Sequence, residues 1–326
     1  MSPGQGGIVG AWYNSAWWLW LLRPLELLFR LAAFVRRSLY RLGLLSVYRS
    51  EKPVVVVGNI TVGGTGKTPV VIALVEALQA AGLRPGVVSR GYGATGGQFP
   101  LRVSASSSAA DCGDEPLLIF RRTGCPCVVS PSRPDAVRAL LAGPPVDVVI
   151  SDDGLQHYAL ARDMEIAVID ARRGTGNGFC LPAGPLREPR SRLETVDFVL
   201  YRGGDDPLAG VPYELDALVN MATGERRTLA AEAFPGPVHA VAGIGQPEQF
   251  FHSLRAVGLD IEPHVFPDHH AYSAADLSPL DDRPIIMTEK DAVKCAAITG
   301  MQTWYLQISA RLPDNVVRAV VSLAAP

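Results

Sequence analysis

The sequence predicts an α/β fold with a parallel sheet core and a smaller second α/β domain. Continuous β-branched runs, such as PVVVVGNI at 53–60 and VDVVIS at 146–151, are typical of strands buried on both faces of a sheet. Helix-like segments alternate with these runs, as they do in parallel sheets. The chain has 326 residues, of which 48% are hydrophobic and 19% charged, which is enough for two such cores and excludes a mainly disordered protein.

The N-terminal segment, residues 1–48, differs from the rest in charge. Residues 1–50 contain six Arg and one Glu, so they carry +5 and leave −7 for the other 276 residues of a chain whose net charge is −2. We therefore expect this segment to be a separate functional unit, and we expect no nucleic-acid partner. The five cysteines form no Cys-x-x-Cys pair, which indicates reduced thiols rather than a disulfide framework or a zinc ribbon.

Four of the five tryptophans, Trp12, Trp17, Trp18 and Trp20, lie in the first twenty residues. Uninterrupted apolar residues run only from 16 to 22, well short of the roughly 20 that a membrane-spanning helix needs. A secretory signal would place its positive charge before the apolar stretch, whereas the arginines here follow it. We therefore expect a segment that neither crosses a membrane nor is removed.

An amphipathic helix is predicted from Pro24 onward. At 100° per residue, four basic residues lie within about 40° of one another: Arg23, Arg30, Arg37 and Arg41. The opposite face contains apolar residues, namely Leu21, Leu25, Leu28, Ala32, Val35, Leu39 and Leu42. Together with the tryptophans, this pattern predicts a helix lying in the headgroup region of an anionic membrane. The alternative is a helix docked on its own domain or on a partner.

The stretch GNITVGGTGKTP, residues 58–69, lies between a predicted strand and a predicted helix, which is the context of a phosphate-binding loop. Its glycines allow backbone N–H groups to approach phosphate oxygens, and the helix N-terminus favours negative charge. Lys67 would reach the β- and γ-phosphates, and the Thr68 hydroxyl would bind Mg²⁺. Thr61 occupies the position where this pattern usually begins with glycine, which predicts a different loop entry rather than a lost phosphate site.

Polar residues follow other strands, at the edge where parallel sheets bind ligands. Asp152 and Asp153 come directly after the strand at 146–151, where a carboxylate can meet Mg²⁺. His157 would either complete that site or anchor the loop. Asp114 would be either a helix cap or a general base, and the local sequence favours the cap. Arg187, like Arg90, would either clamp a phosphate or lie on the surface.

The second half of the chain predicts a β-ribbon connector at 214–234 and an α/β domain at 235–326, after a first domain at 49–213. Gly243-Ile244-Gly245 follows a strand, but the third glycine of a dinucleotide-binding motif is missing. The loop FPDHHAYS lacks further zinc ligands nearby, so we expect a polar loop that faces the first domain.

Seven motifs occur in one order along the chain: GNITVGGTGKTP, SRGYG, GDEP, DDGLQH, GPLREP, DHHAYS and TEKDAVK. In this order they resemble the tetraacyldisaccharide 4′-kinase family of lipid A synthesis. The resemblance implies a kinase that uses ATP and Mg²⁺ at the cytoplasmic face of the bacterial inner membrane, as a peripheral or monotopic protein. It also implies a glycolipid substrate, tetraacyldisaccharide 1-phosphate, whose 4′-hydroxyl is phosphorylated to give lipid IVA.

The resemblance further implies roles for single residues, including a threonine or serine at the Thr61 position. The implied catalytic residues are Asp114 as the base, His269 as its support, Lys67 and Asp153. The implied ATP-binding residues are Thr61, Gly63, Gly64, Thr65, Gly66, Lys67 and Thr68. The implied metal-site residues are Thr68, Asp152, Asp153, His157 and Glu188. The implied substrate-site residues are Tyr92, Arg133 and Arg187.

Two other classes of protein use a phosphate-binding loop. A membrane-associated partition or regulatory ATPase shares the glycine spacing, but it carries a lysine where this chain has Val62. Such a protein would dimerise with nucleotide and would not depend on a glycolipid. A nucleotide-binding scaffold without catalysis would be unaffected by loss of Asp114.

Overall fold

The computed structural model describes residues 7–64, 66–295, 298, 300 and 302–325. Within these residues the chain forms two sheets. The strands of the first are β1 (Val54–Gly58), β2 (Pro85–Ser89), β3 (Leu101–Arg102), β4 (Cys127–Val129), β5 (Val148–Asp152), β6 (Met164–Asp170), β7 (Phe198–Arg202) and β8 (Gly210–Val211). Those of the second are β9 (Tyr213–Asn220), β10 (Arg226–Arg227), β11 (Val238–Ala242), β12 (Ile261–Val265), β13 (Ile285–Thr288) and β14 (Thr303–Ala310).

Helices lie between the strands and at both ends of the described chain. They are α1 (Ile8–Tyr13), α2 (Arg23–Arg41), α3 (Lys67–Ala80), α4 (Ala109–Cys112), α5 (Asp114–Thr123), α6 (Arg133–Leu141), α7 (Pro247–Ala256), α8 (Ala274–Leu277), α9 (Glu289–Cys295) and α10 (Asp314–Ala324). Short 3-10 helices cover Trp17–Leu22, Arg190–Thr195, Ala231–Ala233 and Ser278–Leu280.

The first sheet has the order β3-β4-β2-β5-β1-β6-β7-β8, and its strands are parallel except that β3 runs antiparallel to β4. Strand β1 lies between β5 and β6. Its valines alternate between two apolar cores: Val55 and Val57 pack with α3 and α5, whereas Val54 and Val56 pack with α6. Because both faces are covered, every residue of the strand is apolar, as the sequence predicted.

The second sheet has the order β10-β9-β14-β13-β11-β12. Its strands β11 to β14 are parallel, and β9 runs antiparallel to β14. The stretch predicted as a ribbon, 214–234, thus contains β9 and β10, which pair with each other, but β9 also pairs with β14 from Tyr213 to Asn220. Since β14 provides hydrogen bonds along this whole strand, the ribbon is part of the second sheet.

The last helix returns to the first domain. Val316, Val320 and Ala324 of α10 are buried in the same core as Val70 and Leu74 of α3. The chain therefore leaves the second sheet after β14, and its final helix packs beside α3 in the core of the first domain. The segment predicted as one C-terminal domain, 235–326, therefore contributes residues to the core of the first domain as well as to the core of the second.

The N-terminal segment is docked on the first domain through a few side chains. Trp12 is 6% exposed and donates its indole N–H to the carbonyl of Pro182 at 3.0 Å. Glu26 is 1% exposed and accepts a hydrogen bond from the backbone N–H of Cys180 at 3.2 Å. Arg23 and Arg30 form ion pairs with Glu26, at 3.0 and 3.7 Å. Part of the predicted basic stripe thus lies beside the docked face.

The apolar side of this segment is largely exposed to solvent. Its large exposed side chains include Trp17, Trp20, Leu21, Leu25, Leu27, Leu28, Leu31, Phe34 and Leu42. Trp17 is 76% exposed and Phe34 is 68% exposed. In the described part of the chain, no helix has the length and apolar character to span a membrane.

Candidate active site

The phosphate-binding loop leaves β1 and is joined to a second loop by backbone pairing. Thr61 is 2% exposed and forms an antiparallel bridge with Leu186. On either side of it, Val62 N–H donates to Pro185 O at 2.8 Å and Arg187 N–H donates to Ile60 O at 2.6 Å. An extended backbone needs no glycine at Thr61, which explains this departure from the usual loop pattern. The pairing also fixes Arg187 beside the loop.

Glycine is required at two positions of the loop. Gly63 has φ +94° and Gly66 has φ +73°, in the region that side chains with a Cβ disfavour. A Cβ at Gly66 would also lie 2.5 Å from Arg202 Cδ and 2.8 Å from the Tyr213 hydroxyl. That hydroxyl donates a hydrogen bond to the Gly66 carbonyl. Thr65, predicted to bind ATP, lies outside the described residues.

We therefore expect Gly66→Ala to weaken ATP binding by at least about tenfold, because the substitution costs on the order of 1–2 kcal/mol in backbone strain alone. The measurement is the ATP affinity by calorimetry. Gly236→Ala is the matched control, since Gly236 has no positive φ and open space around a Cβ. Equal affinities of the two variants would contradict the prediction.

Lys67, the first residue of α3, points at a carboxylate on the neighbouring strand end. Its Nζ lies 3.3 Å from Asp153 Oδ1, and Arg187 Nη1 lies 3.1 Å from Asp153 Oδ2. Burial alone would favour the neutral acid, but these two cations hold the pKa of Asp153 well below its usual range. The three residues meet because β5 is adjacent to β1 and the register pairs Val57 with Asp152.

Asp152, the last residue of β5, has one carboxylate oxygen that lacks a partner. Ser89 donates to Oδ2 at 3.1 Å, while Oδ1 is buried and accepts no hydrogen bond from any described residue. Burial, with the charges of Glu115 and Asp153, raises the pKa of Asp152 to about 7. A buried carboxylate with a free oxygen, beside a second carboxylate, fits the oxygen ligand set that Mg²⁺ prefers.

A second constellation joins the two domains. Asp114, at the start of α5, is 5% exposed and accepts a hydrogen bond at 2.9 Å from Nδ1 of His269, in the loop after β12. The helix N-cap is Gly113, so the cap that the local sequence favoured is not at Asp114. Burial opposes ionisation, but the His269 hydrogen bond and the Lys290 charge hold the pKa of Asp114 below its ordinary value.

Two further residues surround this Asp114–His269 pair. Lys290 Nζ lies 3.2 Å from Glu115 Oε1 and 3.8 Å from Asp114 Oδ2. The ring of Tyr92, 67% exposed, lies against His269 with 5.1 Å between ring centroids. An exposed aromatic ring beside a buried carboxylate provides a face on which a sugar ring could pack.

Gly245 lies between the phosphate loop and Asp268, the residue before His269. A Cβ at this glycine would lie 3.3 Å from Asp268 Oδ2 and 3.9 Å from the backbone nitrogen of Gly64. Next to it, Gln246 donates its side-chain amide to the Gly64 carbonyl at 3.2 Å. Gly243-Ile244-Gly245, which is not followed by the third glycine of a dinucleotide-binding motif, thus allows the second domain to approach the phosphate loop closely.

Two predicted site residues contact other partners. Gln156 donates to Glu188 Oε2 at 2.8 Å and the Tyr158 hydroxyl donates to its Oε1, so both oxygens are occupied. Arg133 is 1% exposed and donates to the carbonyl of Asp152 at 2.6 Å. These contacts indicate that Glu188 and Arg133 hold the loops of the site in place. They do not favour the predicted metal role of Glu188 or the predicted substrate role of Arg133.

His157 lies with Arg133 in the wall of a cleft of about 610 Å³ beside the N-terminal segment. Burial, with the charges of Arg133 and Arg90, lowers the pKa of His157 to about 3. Its ring is therefore neutral at physiological pH. Among the described residues, the His157 ring forms no hydrogen bond with Asp152 or Asp153.

Sequence reasoning missed Lys290 and Tyr213. Lys290 belongs to the TEKD stretch, which resembles a guanine-reading motif with its lysine displaced by one residue. Its contact with Asp114 crosses from one domain to the other, and no local pattern signals such a contact. Tyr213 begins β9 and reaches Gly66 from 147 positions away.

The comparisons with known proteins bear on this geometry. A family model described as tetraacyldisaccharide-1-P 4′-kinase matches residues 18–324. The chain belongs to the tetraacyldisaccharide-1-P 4′-kinase family. A relative named tetraacyldisaccharide 4′-kinase from Pseudomonas paraeruginosa is 54% identical over 306 residues, which cover 93% of this chain and 92% of the relative. Another of the same name, from Azotobacter vinelandii, is 54% identical over 308 residues, with the same coverage.

A solved structure of this kinase family, LpxK from Aquifex aeolicus in complex with ATP, has the same fold. It matches with a TM-score of 0.80 at 27% identity, over 94% of this chain and 99% of that chain. The predicted α/β fold and kinase family are thereby confirmed. The alternative of a partition or regulatory ATPase finds no support in these relatives.

The hydrogen bond with Asp114 raises the pKa of His269, which makes the stability of this kinase pH-dependent in a defined direction. A raised histidine pKa contributes stability that is fully present below the unfolded value of about 6.5 and is lost as pH rises through the folded value. We expect His269→Gln to lower the free energy of unfolding more at pH 6 than at pH 9 in urea melts. His252→Gln, an exposed control, should show no such difference.

Proposed function

We propose that this protein transfers the γ-phosphoryl group of ATP to the 4′-hydroxyl of tetraacyldisaccharide 1-phosphate, forming lipid IVA. The observation that carries the proposal is the Asp114–His269 pair, which joins the two domains. Asp268, the residue before His269, and Gly64 of the phosphate-binding loop both lie beside Gly245. The loop supports ATP binding, and the names of the relatives support the acceptor.

Asp114 acts as the general base in this proposal. Its carboxylate is ionised at neutral pH, because its pKa lies below the ordinary value. It takes the proton as the hydroxyl O–H bond breaks and the new bond from oxygen to the γ-phosphorus forms. The bond from the γ-phosphorus to the bridging oxygen breaks, and ADP leaves with that electron pair. His269 orients the carboxylate through Nδ1.

Lys67 and the two aspartates hold the nucleotide end of the reaction. Lys67 is 9% exposed, so its charge is largely shielded from water and acts strongly on phosphate oxygens. Asp152, Asp153 and Thr68 would hold Mg²⁺, which neutralises charge on the phosphates when it is bound. Arg187 is fixed beside the loop by its backbone and reaches Asp153 through its side chain, so its charge is available at the same place.

The N-terminal segment is proposed to place the enzyme on an anionic membrane surface, at the cytoplasmic face of the inner membrane. Many large apolar residues of α2 and of the preceding 3-10 helix are exposed to solvent. Arginines lie beside the docked side, where they can approach lipid headgroups. A substrate with four acyl chains remains in the bilayer, so this placement would bring its sugar to the active site.

We expect Leu28→Ser with Phe34→Ser to reduce co-sedimentation with vesicles that contain phosphatidylglycerol by about tenfold or more, because each lost apolar side chain contributes on the order of 1.5–3 kcal/mol when buried. Leu208→Ser is the matched control, since Leu208 is 67% exposed but lies in the loop between β7 and β8. Binding of the double variant equal to that of Leu208→Ser would contradict the membrane role.

The activity itself is tested with γ-labelled ATP, Mg²⁺ and tetraacyldisaccharide 1-phosphate in detergent micelles. Label should appear in the lipid with the wild-type protein. ATP hydrolysis without labelled lipid would overturn the proposal and would favour a regulatory ATPase. A substrate that carries a 4′-deoxy sugar should remain unlabelled, which identifies the accepting hydroxyl.

A further inference from the structure

Two histidines and a glutamate lie together at the edge of the second sheet, apart from the active site. His239 is on β11, and Glu262 and His264 are on the edge strand β12. His239 Nδ1 lies 2.9 Å from His264 Nε2, and the Glu262 carboxylate lies 3.8 Å from the first and 3.9 Å from the second of these nitrogens. One ligand atom from each side chain lies within 4.8 Å of the others.

This arrangement follows from the strand register. Glu262 and His264 are two positions apart on one strand, so their side chains share a face. The parallel pairing places His239 beside Glu262 and Val241 beside His264. His239 is 2% exposed and therefore rigidly held, whereas the Glu262 side chain is 52% exposed and can adjust.

A fourth residue determines which nitrogen of His239 is free. Asp282 Oδ1 lies 2.8 Å from His239 Nε2, so Nε2 carries the proton and donates it to the carboxylate. Nδ1 then presents a lone pair towards His264 and Glu262. Such carboxylate–histidine contacts are typical of metal-binding histidines, since they orient the ring and raise its basicity.

The charge states of His264 and Glu262 are also those that a metal ligand needs. Burial, with the neighbouring His239, lowers the pKa of His264, so its ring is neutral at physiological pH. A hydrogen bond from Arg283 to Glu262 Oε2, at 2.7 Å, lowers the pKa of Glu262 and leaves Oε1 on the side of His264. Metal binding requires His264 to carry its proton on Nδ1 instead of Nε2.

We propose that His239, His264 and Glu262 bind a Zn²⁺ ion, with Asp282 positioning His239. In a tetrahedral site with bonds of about 2.0–2.1 Å, ligand atoms are about 3.3 Å apart. This separation lies between the 2.9 Å that joins the two histidine nitrogens and the 3.8 and 3.9 Å that join them to the Glu262 carboxylate. Two imidazoles and one carboxylate suit Zn²⁺ and leave its fourth position to water. The ion would join the edge strand β12 to β11 and to the turn that contains Asp282.

The test measures Zn²⁺ binding to untagged, metal-free protein by competition with a chromogenic chelator, in the presence of excess Mg²⁺. The wild type should bind one Zn²⁺ more than His264→Gln. Asp282→Asn should bind Zn²⁺ about 10- to 100-fold more weakly than the wild type. The control His252→Gln should bind Zn²⁺ with the affinity of the wild type. Co²⁺ in place of Zn²⁺ should give the strong visible absorption of a tetrahedral site, which His264→Gln should lose.

Glu262→Gln serves where a histidine variant fails to fold, because this side chain is half exposed. It should weaken Zn²⁺ binding with an unchanged circular dichroism spectrum. Equal Zn²⁺ affinity in the wild type, His264→Gln and Glu262→Gln would overturn the proposal. So would a Co²⁺ complex without the tetrahedral absorption. These readouts do not depend on kinase activity.

Discussion

Asp114→Asn should lower kcat for phosphoryl transfer by about 10²- to 10⁴-fold, the range for loss of a general base, while ATP affinity stays unchanged. The amide keeps the volume of the carboxylate, but it cannot accept the hydroxyl proton. The effect should fall on kcat because the proposed base takes the hydroxyl proton during the transfer step and does not hold ATP. Single-turnover transfer from labelled ATP to the lipid measures it.

The Asp114–His269 pair allows a stricter test of this role. Because His269 acts through Asp114, the loss in His269→Gln should disappear when Asp114 is already Asn. Asp205→Asn, which changes an exposed aspartate, is the matched control and should keep wild-type activity. Additive losses in the double variant, or a kcat of Asp114→Asn near that of the control, would contradict the base assignment.

Lys67→Ala should lower kcat/KM by about 10²- to 10³-fold or more, comparable to the loss of one preorganised donor to developing charge. Lys67 is buried against Asp153, so its charge acts on the phosphates with little screening by water. Its removal also leaves Asp153 with Arg187 as the remaining ion-pair partner among the described residues. The measurement is the initial rate of lipid labelling over a range of ATP concentrations.

Two controls separate this charge effect from damage to the fold. Lys52→Ala removes an exposed lysine just before β1 and should leave the rate unchanged. Lys67→Arg keeps the charge but changes its geometry, and it should recover only part of the activity. Full activity in Lys67→Ala would show that the loop does not hold the reacting phosphates in the proposed way.

Sequence patterns predicted which residues lie together around the loop that follows β1. Lys67, Asp152 and Asp153 follow adjacent strands of one parallel sheet, so their neighbourhood is implied once the strands are recognised. The sequence left two interpretations of the N-terminal helix open, docking on its own domain or a partner, and contact with a membrane. Trp12 and Glu26 dock, while the leucine face stays exposed. Helical periodicity predicts which side of the helix is apolar and which is basic, but it does not predict which side packs against the domain.

The sequence by itself determined the α/β class, the phosphate loop and the amphipathic helix, because strand runs, glycine spacing and helical periodicity are local properties of the chain. Only the tertiary structure decided which distant side chains meet. Asp114 and His269 are 155 positions apart, and their contact depends on how the second domain packs against the first. Glu188 lies in a loop and Arg133 is the first residue of α6. Their side-chain directions are set by Tyr158 and by the Asp152 carbonyl, through contacts that form only in the folded chain.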